Sequence, residues 1–142
     1  MSELLFYNEE CDIPDFFNEE RVKQWLQVVA DDYSFGLGTI SFIFCNDEYI
    51  LDVNRKYLNH DYYTDVITFD YREGKILSGD VFISLDTVQS NALEFNTTYE
   101  DELHRVIVHS VLHLIGYKDK TDEDARVMRL NENYCLGLLK TL

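Results

Sequence analysis

The sequence predicts an α+β fold, with a small mixed four-stranded sheet packed with about five helices. Short runs rich in Val, Ile, Phe and Thr alternate apolar with polar residues, the period of a half-buried strand. Longer segments repeat apolar residues at three- and four-residue intervals behind an Asn or Thr, as capped amphipathic helices do. The order is strand, helix, strand, helix, strand, strand, then helices. It sets helices against the sheet, with the helix of residues 100–115 near its centre.

Residues 3–7 are apolar and read as a first strand, and Pro14 opens a turn. Asn18 caps a helix over residues 19–32 that puts Val22, Trp25, Leu26 and Val29 on one face. Gly36 and Gly38 break the pattern ahead of residues 39–44, an alternating strand. Asn46 caps a short helix through Tyr57, with Ile50, Leu51 and Val53 inward. Residues 59–63 are a polar and aromatic loop, 65–71 a strand, 73–75 a turn and 79–85 a further strand. Residues 87–95 are helical. Asn96 or Thr97 then restarts a helix carrying residues 100–115, with Glu100, Asp101 and Glu102 in a first turn where acidic side chains suit the helix dipole. Thr121 and Asp124 have capping-box spacing and open a last helix to Lys140. The apolar residues 136–142 are expected to pack internally or against a partner.

At 142 residues and 46% apolar, the chain has the composition of one domain, residues 1–142, with its own core. The formal net charge of −15 excludes a broad basic surface for non-specific binding to nucleic acid or anionic membranes. Any nucleic-acid role must rest on a local basic patch, a bound cation or a docking partner. Cys11, Cys45 and Cys135 are odd in number, widely spaced and without a CxxC pattern, which reads as reduced thiols. An acidic N-terminal stretch and the lack of a long apolar run argue against a signal peptide or a membrane span. The expected location is cytoplasmic.

The chemistry-bearing segment is His109-Ser110-Val111-Leu112-His113, followed by Gly116 and Asp119. Histidines four apart on a helix share a face, so two imidazole nitrogens can converge on one metal ion. The alternative is a pair of hydrogen-bonded core histidines. Gly116 is placed to end the helix and let the chain return Asp119 toward the pair. Two imidazoles and a carboxylate suit a divalent, zinc-like ion with an open position. Ser110 stands where HExxH proteases carry their glutamate base, so peptidase chemistry is disfavoured.

Several segments resemble the YbeY family of metal-dependent endoribonucleases. They are Asn54-Arg55-Lys56-Tyr57 with Thr64-Asp65-Val66-Ile67-Thr68-Phe69, then Gly79-Asp80-Val81-Phe82-Ile83-Ser84, and the His109 to Tyr117 segment. The resemblance implies a zincin-like α+β fold and cleavage of single-stranded RNA during ribosomal RNA maturation. It also implies ribosomal subunits as partners and one divalent metal ion, usually Zn2+. His109 and His113 match the first two family ligands. Asp119 occupies the position of a third family histidine, and Lys118 stands where the family usually has aspartate. Exchanging an imidazole for a carboxylate lowers the charge of the site from about +2 to about +1, which weakens acidification of a bound water and admits harder metals.

Leu58 stands where the family commonly carries an arginine linked to activity, and nearby Arg55 reads as a solvated surface residue. His60 and His104 also read as surface histidines, and Asp65 and Asp80 as turn-capping residues. Arg55, Lys56, Arg105, Lys118 and Lys120 either form a local RNA-facing patch or pair with the chain's many carboxylates. No general base is identifiable, so the catalytic residues stay unassigned. Two other classes share these features: a ribosome-assembly factor with a structural metal and little cleavage, and a non-haem iron oxygenase with a facial triad.

Overall fold

The computed structural model describes residues 2–60 and 63–142; part of the loop expected at residues 59–63 lies outside the described residues. Among the described residues, strands β1 (Glu3–Asn8), β2 (Gly36–Cys45), β3 (Val66–Asp70) and β4 (Ile76–Ser84) form one sheet in the order β1-β2-β4-β3. β1 and β4 both pair parallel with β2, whereas β3 pairs antiparallel with β4. The helices are α1 (Glu19–Asp32), α2 (Asp47–Leu58), α3 (Leu85–Glu94), α4 (Tyr99–Ile115) and α5 (Asp122–Lys140). This is the α+β arrangement of a mixed four-stranded sheet and five helices that the sequence predicts.

The caps account for most helix starts. Asn18, Asn46 and Thr121 each accept from a backbone N–H in the first turn, and Thr121 and Asp124 complete a reciprocal capping box. Ser84 caps α3 slightly earlier than the sequence reading placed that helix, and Thr98 caps α4 just after the expected Asn96 or Thr97. β2 begins at Gly36 rather than Thr39, because the glycines lie in the strand instead of ending it. A Cβ at Gly36 would stand 2.9 Å from Ile76 Cδ1, so the missing side chain lets the start of β2 approach β4 closely. The register shifts between Leu37 and Ile40, which bends this end of the strand.

The pleat sends alternate residues to opposite faces of the sheet. Ile40, Phe42 and Phe44 of β2 and Leu77, Val81 and Ile83 of β4 join the main core with α1 and α4. The smaller cluster, on α2 and the opposite face, holds Cys45, Ile50, Val53 and Ile67, with Phe69 and Phe82 packed on it. α4 is the central helix, and Leu103, Ile107, Val108, Val111, Leu112 and Leu114 are all fully buried. It sits close on the β3–β4 hairpin because Gly79 has no side chain. A Cβ there would collide with the Phe69 carbonyl and stand 3.2 Å from Leu114 Cδ2. α5 is tied across to α1 by the Trp25 indole N–H, which donates to the Cys135 carbonyl at 2.8 Å. Residues 136–140 complete α5, and Leu136, Leu138 and Leu139 turn into this same core.

His104 corrects the sequence reading. It is not a surface histidine but 6% exposed, with its ring edge-on to Trp25 at 5.6 Å. Burial pushes its pKa below the usual value; Glu100 and Asp101 oppose that shift and Arg21 reinforces it. The folded state therefore favours the neutral ring. That contribution is complete above the unfolded-state value of about 6.5 and is lost as pH falls through the depressed folded value. His104→Phe should flatten the fall of stability below about pH 6.5 relative to the wild type, read by denaturant unfolding. Identical pH slopes for the two proteins would contradict a buried neutral His104.

Candidate functional site

His109 lies in the C-terminal half of α4, half-buried and facing α5. Its Nδ1 is 2.8 Å from Oε2 of Glu132, a carboxylate on α5 that is itself only 5% exposed. The other oxygen of Glu132 accepts from Arg105 Nη1 at 2.8 Å, and Arg105 Nη2 donates to Asn133 Oδ1 at 2.9 Å. Arg129 Nε approaches the same Glu132 oxygen at 3.8 Å. This chain of contacts fixes the ring of His109 and leaves Nε2 pointing away from α5.

Nε2 faces Asp119 Oδ2 at 3.7 Å. Gly116 makes that approach possible. It ends α4 at φ +130°, a region that side-chain-bearing residues rarely adopt, and its N–H donates to the carbonyls of Leu112 and His113. Arg72 closes the helix end by donating to the Leu114 and Ile115 carbonyls at 3.3 and 2.6 Å. His113 stands one turn beyond His109, exposed, on the wall of the same cleft of about 500 Å³ that Asp119 and Asp65 border. The structure thus brings His109 and Asp119 together and sets His113 beside them without contact. Among the described residues, no three His, Cys, Asp or Glu side chains form a closed ligand cluster.

The spacing of His109 Nε2 and Asp119 Oδ2 and the chemistry of the two groups are compatible with a divalent ion. Two ligands of one tetrahedral zinc, each at about 2.0–2.2 Å, stand about 3.3 Å apart, close to the spacing of His109 Nε2 and Asp119 Oδ2. A carboxylate on the remote nitrogen, as Glu132 supplies here, is the usual outer partner of a metal-ligating histidine. His113 would supply the third donor.

Several carboxylates converge here, and their environments differ. Burial alone would push the Glu132 pKa up, but the hydrogen bonds and charges of His109 and Arg105 outweigh it and the net shift is downward. Burial alone would lower the His109 pKa, but the Glu132 bond and charge, with Asp119 and Asp65, carry it upward. Asp65, read from sequence as a turn cap, instead borders the site. Burial raises its pKa, with Asp119 adding to that and His109 opposing it. Asp80 keeps the structural role expected of it, accepting from the Tyr71 hydroxyl at 3.1 Å. Leu58 and His60 line the same cleft, so the position of the family arginine does face the site and here offers an apolar side chain. The expected basic patch is partly consumed, since Arg105 is bound to Glu132 and Lys56 pairs with Asp52 at 3.1 Å.

The family model described as Endoribonuclease YbeY matches residues 4–140. The chain belongs to the YbeY family. It is 51% identical over 136 residues to the Endoribonuclease YbeY of Parabacteroides distasonis, covering 96% of this chain and 95% of that one. It is 47% identical over 140 residues to the Porphyromonas gingivalis protein of the same name, covering 99% of this chain and 92% of its relative. The solution structure of TM1509 from Thermotoga maritima matches with a TM-score of 0.68 at 23% identity, covering 96% of this chain and 89% of that one, a likeness of fold.

Membership in the YbeY family accounts for the order of the motif segments but not for Glu132, which lay outside them. Its sequence signal was a carboxylate in the apolar stripe Met128, Glu132, Cys135, Leu139 of α5. Removing that carboxylate leaves both Arg105 and His109 without their buried partner. Glu132→Ala should cost about 3 kcal/mol in denaturant unfolding. A loss below about 1 kcal/mol would show that the α4–α5 contact does not depend on this group.

Proposed function

We propose that this chain is an endoribonuclease that cleaves single-stranded RNA during ribosomal RNA maturation and depends on one divalent metal ion, Zn2+. The observation that carries the reading is the His109 imidazole, oriented by Glu132 on one nitrogen and facing Asp119 with the other, in a chain of the YbeY family. His109, His113 and Asp119 are the residues that would hold the ion. When bound, such an ion polarises a phosphoryl oxygen and lowers the pKa of a coordinated water.

The chain's own groups supply the rest. Glu132 holds His109 in the tautomer with the proton on Nδ1, which leaves the Nε2 lone pair for ligation. Asp65, bordering the cleft beside His109, is the carboxyl we assign to take a proton from the attacking oxygen. The recess between α4, β3 and the turn after Gly116 favours an unpaired strand, whose backbone can bend inward, over a duplex. The net charge of −15 limits electrostatic attraction of RNA, so affinity must come from the site and from docking on ribosomal subunits. Such a substrate places the chain in the cytoplasm. Among the described residues, no helix is long and apolar enough to cross a membrane.

Cleavage of a labelled single-stranded RNA by the full chain tests the proposal. Activity should disappear with chelator and return with zinc, and His109→Ala should lose both metal and cleavage. Asp65→Asn should keep the metal and cleave about 10²-fold more slowly. Undiminished cleavage by metal-free His109→Ala would overturn the metal-dependent reading, and absence of cleavage by zinc-loaded wild type would leave the assembly-factor alternative.

A further inference from the structure

A second cleft of about 300 Å³ opens from the first along His109, Asp119 and Asp65. It runs between the end of α3, the first turns of α4 and the start of α5. Its most unusual wall residue is Glu102. This side chain is 7% exposed, yet among the described residues no group hydrogen-bonds or ion-pairs with its carboxyl. Burial pushes its pKa up, with the charge of Arg105 opposing that. Among the described residues no buried side-chain polar atom lacks a partner, so the Glu102 oxygens are open to the cleft, where a ligand group can take the place of water.

The other walls have matching chemistry. Asn91 and Phe95 lie one turn apart at the end of α3, on one side of the cleft. The Asn91 amide has no hydrogen-bond partner among the described residues. The Phe95 ring is 59% exposed and makes no aromatic contact with the described residues. Arg129, exposed on α5, borders the same space. A flat apolar ring, a free amide, a buried acceptor and a cation at the rim are what an unstacked nucleotide requires: a stacking face, hydrogen bonds to the base edge and a contact for phosphate.

We propose that this second cleft is a nucleobase subsite for the nucleotide next to the cleaved bond, in which Phe95 stacks on the base and Glu102, with Asn91, reads its edge. The assignment rests on the endoribonuclease reading of the neighbouring site. Either protonation state of Glu102 presents an acceptor oxygen, so the favoured base carries an exocyclic amine. Adenine, cytosine and guanine qualify. Uracil has no exocyclic amine and offers one ring N3–H flanked by two carbonyl oxygens, a poorer match to a carboxylate.

The test is fluorescence anisotropy of the full chain with single-stranded uridine hexamers carrying one A, C or G at each position in turn, and cleavage of the same RNAs measured separately. An amine-bearing base should tighten binding about tenfold at one position only. Glu102→Leu should remove that preference, and Phe95→Ala, a change at an exposed ring, should weaken all hexamers roughly tenfold. Equal affinity for every hexamer, or a preference that survives in both variants, overturns the subsite. Preferential binding without cleavage keeps the subsite and removes the nuclease reading. Cleavage without positional preference does the reverse.

Discussion

Glu132 joins two helices that the chain places far apart in sequence. Its carboxylate meets His109 on one oxygen and Arg105 on the other, each at 2.8 Å, in a layer where water has little access. A buried carboxylate is tolerated only when its oxygens are occupied, and here both are. The same contact that holds α5 against α4 therefore decides which nitrogen of His109 faces the cleft. Packing of the fold and orientation of the site are one constraint. It acts on α4, the helix whose apolar residues form the centre of the core and whose seat on the hairpin depends on Gly79.

The cleft is electrostatically unusual for a site proposed to bind RNA. Asp65, Asp119 and Glu132 lie along it with Glu102 close by, while Arg105 is held by Glu132. Such a field repels phosphate and attracts a cation. A divalent ion held by His109, His113 and Asp119 would reverse that sign locally, which links substrate affinity to metal occupancy. As a member of that ligand set, the Asp119 carboxylate would itself enter this balance.

Much of the fold was legible because its signals are local. Asn18, Asn46 and the Thr121–Asp124 pair mark helix starts through bonds to backbone only three residues away. β2 and β4 follow the period of the pleat, and Gly116 ends α4 as its position suggested. What escaped depends on distant partners. Gly36 and Gly38 look like strand breakers until Ile76 is set beside them. His104 looks solvated until Trp25 of α1 packs on it. The site was half legible: the histidine pair and Asp119 share one motif, whereas Glu132 and Asp65 reach it from another helix and from the approach to β3. In Glu102 and Glu132 a signal did exist, since each is a carboxylate at an inward position of an amphipathic helix.

The central claim is that His109 Nε2, His113 and Asp119 bind one ion from one side of the cleft. X-ray absorption at the zinc edge of the full chain loaded with one equivalent of metal tests it most directly. The account predicts a four-coordinate shell of two imidazole nitrogens and oxygens at about 2.0–2.2 Å, with one imidazole lost in His113→Ala. A sulfur at about 2.3 Å, or an all-oxygen shell without imidazole scattering, would contradict it.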